Sequence, residues 1–75
     1  MQEALLARIG GLVPRLPERQ AAAFVLRGYQ GLSHRQIAEI MGCGEGSAKS
    51  HFCLACRKLR EWIAAEDAAE AAEQT

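Results

Sequence analysis

The sequence has little of what builds a β-sheet. Among its 75 residues are one Tyr, one Trp, two Phe and a single Thr, too few aromatic and β-branched side chains to fill several strands. Long apolar runs are missing as well. The longest, Ala21 to Leu26, covers six positions, against the roughly 18–20 needed to span a bilayer. No basic segment leads an apolar one at the N-terminus, so nothing reads as a signal peptide. Cysteine is scarce and odd in number, three in all, which excludes a closed disulfide framework. A reducing, cytoplasmic setting is the simplest reading. The chain is also too short for an enzyme with a deep pocket and its own lid, because small domains bury a limited core.

Net charge is absent too: nine Lys and Arg stand against nine Asp and Glu. Nucleic-acid binders usually carry a basic excess, so the total speaks against that class. The distribution speaks differently. Residues 1–32 carry +2, residues 33–60 carry +3, and residues 61–75 carry −5 with no base at all. The zero is a sum of opposites.

What is present is Ala, Leu and helical spacing. Leu5, Ile9, Leu12 and Val13 mark a first amphipathic helix, weakened by Gly10-Gly11 and ended by Pro14. Pro17 and Glu18 open a second helix that runs through Phe24 to Gly28. Ser33-His34-Arg35-Gln36 has the capping-box pattern, and Ile37, Ala38, Ile40 and Met41 supply the apolar face of a short third helix. After Gly42-Cys43-Gly44 a longer helix starts near Gly46, with Ala48, Phe52, Ala55, Leu59, Trp62 and Ile63 as its apolar stripe. The expected fold is a small all-α, four-helix domain over residues 1–63. Residues 64–75 form an acidic, Ala-rich tail without an apolar stripe, expected to be frayed or disordered. The tail reads as a solvated end. Its rival reading is an arm that competes with DNA for a basic helix.

A short helix, a glycine turn and a longer helix have the proportions of a helix-turn-helix. Ala38 offers the small side chain needed where the helices cross, and Gly42 the residue tolerant of left-handed backbone. The second helix would lie in the major groove, presenting Ser47, Lys49, Ser50 and His51.

Leu16-Pro17-Glu18-Arg19-Gln20, Gly31-Leu32-Ser33, Gln36 to Gly42, Gly46 to Ser50 and Arg57-Lys58-Leu59-Arg60 occur in that order. This chain of motifs, over residues 3–62, resembles region 4 of the bacterial RNA polymerase sigma-70 family, most closely its extracytoplasmic-function (ECF) group. The resemblance implies a domain that recognises the promoter −35 element and docks on the flap of the polymerase β subunit. It places Ser33, His34 and Arg35 near phosphate. It turns Ser47, Lys49, Ser50 and His51 to the groove, followed by Leu54, with Arg57 and Lys58 on the backbone or in solvent. Family members usually carry arginine near the places held here by His51, Leu54 and Cys56, which takes charge from the recognition helix. Two other readings stand beside this one. The first is a LuxR-type regulator domain, which Gly31-Leu32-Ser33, Ile37-Ala38 and Glu45 to His51 also fit. The second is an interaction module, since region 4 of many such sigmas is clamped by an anti-sigma factor.

Sharper chemistry finds less support. His51, Cys53 and Cys56 invite a zinc reading, but His51 points away from the face that the two cysteines share. His34 and His51 lack carboxylate partners for catalysis. Trp62, Phe24 and Phe52 read as core. No cofactor, metal or membrane is expected.

Overall fold

A computed structural model describes residues 3–73 as six helical segments joined by short turns. Helix α1 spans Glu3–Leu12. Pro14 prevents its continuation, and the chain tightens into a 3-10 turn over Val13–Arg15. Leu16 and Pro17 are extended, and Pro17 caps α2, Glu18–Phe24, from one residue outside rather than from within its first turn. The expected run to Gly28 is helical but widens into a π-turn over Val25–Tyr29. It stops at Gly31, whose φ is +70°, where the Leu32 N–H reaches back to the Leu26 carbonyl at 3.0 Å.

Helix α3, His34–Met41, begins on the expected capping box. The Gln36 N–H donates to Ser33 Oγ at 3.1 Å, and the Ser33 N–H donates to Gln36 Oε1 at 2.9 Å. It ends at Gly42, left-handed at φ +66°, with the Cys43 N–H returning to the Ala38 carbonyl at 3.0 Å. Helix α4, Glu45–Glu73, is 29 residues long, about 44 Å at 1.5 Å per residue. It sets the 49 Å long axis of the molecule.

Two small cores pack against α4. Leu12 and Leu16 meet Ala55 and Leu59, with Phe24, Trp62 and Ile63 around them. Ala23, Ile37 and Ala38 meet Ala48, with Leu26, Met41 and Phe52 at the edge. Four of the buried residues are alanines. Small side chains at the crossings let the helices approach closely, and the glycine turn at Gly42 is what brings Ala38 over Ala48. Phe24 and Phe52 stack at 6.0 Å, both only half-buried. Trp62 packs beside the first core with the Arg15 guanidinium 4.6 Å above its ring.

Two expectations change. Ile40 is not on the packed face of α3: it is 62% exposed, because the buried face runs through Ile37, Ala38 and Met41. The residues after Ala64 are helical to Glu73 rather than frayed. Alanine is the best helix former, and Arg8 ties the extension to α1. Its Nη2 donates to Glu66 at 3.2 Å and to Asp67 at 2.9 Å, and lies 3.5 Å from the Ile63 carbonyl.

Candidate nucleic-acid interface

Successive residues of an α-helix turn by about 100°. Around α4 this sets Ala48, Ala55 and Leu59 inward, as their burial shows. Ser47, Ser50, Leu54 and Arg57 then fall together on the opposite face, and all four are exposed. Lys58 and His51 lie on one flank of this strip, each half-buried. Glu61, an exposed acid, follows one turn after Arg57. The strip is therefore graded: hydroxyls first, then an isolated leucine, then two cations, then an acid.

Lys49 does not join it. It lies on the other flank with Cys53, about 100° round from Ser50, and is exposed there. A long, flexible lysine at that edge suits a phosphate beside the groove better than a base within it.

At the start of α3 the three expected residues separate by role. The Ser33 oxygen is occupied as the cap acceptor, leaving its hydroxyl proton free to donate. His34 is turned inward, its ring 5.9 Å from Phe52 and its Nδ1 buried without a hydrogen-bond partner. Arg35 points out, its side chain 81% exposed and 3.9 Å from Glu39. An ion pair this exposed constrains the guanidinium little, so Arg35 is the solvent-facing cation of the group.

A second feature is absent from the sequence reading. An open groove of about 710 Å³ runs between α1, the π-turn and α4. Leu6, Ile9, Phe24, Tyr29, Cys56 and Ile63 line it, and Arg60 and Asp67 stand among its few polar residues. Leu6 and Tyr29 are 42% and 50% exposed there, and Tyr29 meets Phe24 edge-on at 5.9 Å. Burial pushes the Cys56 thiol up from its ordinary pKa, which keeps it neutral and suited to an apolar wall. Cys56 follows Leu54 by two residues, so groove and strip face about 160° apart round α4. The apolar spacing of Leu6 and Ile9 in α1 and of Phe52, Cys56 and Ile63 in α4 was the available signal.

Cys43, Cys53 and Cys56 are free thiols. Among the described residues no group of three or more His, Cys, Asp or Glu is placed to hold a metal ion. Nor is any helix long and apolar enough to cross a membrane.

A capped short helix crossing a longer one at a glycine turn, with polar and basic residues along the outer face, defines a helix-turn-helix domain. The family model described as "Sigma-70, region 4" matches residues 6–59, well over half of the chain. The chain belongs to the sigma-70 region 4 family, a DNA-binding, non-enzymatic family of sigma-factor domains. The family match favours the sigma reading over the LuxR-type one. No curated protein and no solved structure matches the chain.

Proposed function

We propose that this is the promoter-reading domain of an ECF-type sigma factor, acting in the cytoplasm on the −35 element. The observation that carries the reading is the outward strip of α4. Ser47, Ser50 and Leu54 would address base edges, with His51 at their flank, while Arg57 and Lys58 neutralise phosphate. Lys49, Arg35 and the hydroxyl of Ser33 would fix the register on the backbone. His34 would act from beneath, holding the start of α3 against Phe52.

The apolar groove is the surface we assign to RNA polymerase. An amphipathic helix laid into a groove of this kind would anchor through a few apolar side chains. Because groove and strip face opposite ways, docking and promoter contact would not compete.

Binding of the chain to a −35 duplex across salt tests the reading. With Arg35, Lys49, Arg57 and Lys58 contributing, log K is expected to fall against log salt with a slope of about −3.6. A slope near zero overturns it. That result would leave a second reading, which the low charge between Ser47 and Leu54 favours: an interaction module held by an anti-sigma factor, with weak DNA binding of its own.

A further inference from the structure

Leu54 is the residue of α4 that the fold does not explain. It is 40% exposed and belongs to neither core. The apolar groove lies on the far side of the helix. Its helical neighbours are Ser50, His51, Arg57 and Lys58, so it is no part of a larger apolar patch. A lone exposed leucine needs no explanation on an ordinary surface. At the centre of a strip meant for base edges it does, because it can neither donate nor accept a hydrogen bond.

The major groove offers one feature that rewards an alkyl side chain, the C5-methyl of thymine. A cytosine at the same place presents an amino group that leucine would desolvate without replacing its hydrogen bond. From Leu54 we infer a specificity-determining contact to a single thymine methyl, resting on the proposal that α4 enters the major groove. Leu54 follows Ser50 by four residues, about 6 Å along the helix axis. The thymine therefore lies one or two base pairs from the pair addressed by Ser50. Arg57 and Lys58 begin about 5 Å further on, where they hold the backbone beside it. The strip thus reads with hydroxyls and a methyl contact and leaves charge to its end. This assigns a role to the uncharged residue that stands where arginine would otherwise supply affinity.

Replacing thymine by deoxyuridine removes the methyl and leaves base pairing intact, so it isolates this contact. Duplexes are selected from a randomised pool by the 75-residue chain, and each thymine of the selected duplex is then exchanged singly for deoxyuridine. One exchange is expected to weaken binding about fourfold, the worth of one buried methyl. The same exchange should have no effect on Leu54→Ala and an undiminished effect on Leu54→Met, which keeps an apolar side chain. Leu54 is exposed, so both variants should retain the wild-type circular dichroism. If no exchange distinguishes wild type from Leu54→Ala, the thymine contact is wrong while DNA reading by α4 stands. If the chain enriches no duplex at all, both are wrong.

Discussion

Gly42 and Gly11 show how differently one residue type can act in a chain this small. At φ +66° Gly42 has the left-handed backbone that closes α3 and aims α4. A Cβ there would meet nothing within 4 Å, so the cost of Gly42→Ala is conformational and not steric crowding, about 1–2 kcal/mol. Gly11 lies inside α1, is exposed, and also has open space around its Cβ. There alanine removes unfolded-state freedom without strain and should stabilise by about 0.5–1 kcal/mol. Urea midpoints of the two variants should move in opposite directions; a midpoint raised by Gly42→Ala would show that the turn at Gly42 does not constrain the fold. The sequence made both positions readable, because a capping box and a glycine stop are local signals. Ile40 was not readable. It sits three residues from Ile37 and one from Met41, spacing that fits a buried face, and only the crossing of α3 over Ala48 decides which apolar residues lie inside. The packing of His34 is hidden for the same reason: its contact with Phe52 joins residues far apart in sequence.

Among the elements, α4 carries the largest difference between pattern and structure. Its first half has an apolar stripe and its second half has none, so the pattern alone ends the packed helix near Ile63. What holds the rest is a long-range contact, Arg8 with Glu66 and Asp67, separated by 58 and 59 residues in sequence. Both carboxylates raise the Arg8 pKa, side-chain hydrogen bonding to Glu66 foremost, so the guanidinium stays charged throughout the working range of pH. The contact is exposed and will be screened by salt. Arg8→Ala should therefore leave the thermal midpoint almost unchanged while amide exchange speeds up selectively over residues 64–73. Adding about 1 M salt to the wild type should produce the same pattern, since the Debye length then falls to about 3 Å. Uniform exchange rates in the variant would mean that helix propensity alone maintains the extension. The groove between α1 and α4 was equally hidden in sequence. Its two walls are each legible as apolar spacing, but their facing depends on the turns at Pro14 and Gly31.

For the whole molecule, the neutral charge total becomes a spatial separation of signs. Arg35, Lys49, Arg57 and Lys58 lie toward the helix-turn-helix end, and Glu66, Asp67, Glu70 and Glu73 lie toward the far end of α4. Because α4 is one continuous helix, its acidic end cannot fold back over the strip. Glu66 is eight residues beyond Lys58, about 12 Å, and 16 beyond Ser50, about 24 Å. An arm competing with DNA for the basic helix would need that helix to break, so the extension acts on DNA only through its field. The Debye length is about 8 Å at 0.15 M ionic strength and about 30 Å at 0.01 M. Replacing Glu66, Glu70 and Glu73 together by Gln keeps Asp67 for Arg8 and removes three charges. DNA affinity of this variant should match the wild type within about twofold at 0.15 M and exceed it several-fold at 0.01 M. A large gain at 0.15 M would require direct contact between the acidic end and the basic face, and with it a bend in α4. The same measurement locates the domain's useful charge. If affinity at 0.15 M ignores the three acids, promoter binding senses the local +3 of residues 33–60 rather than the zero of the whole chain.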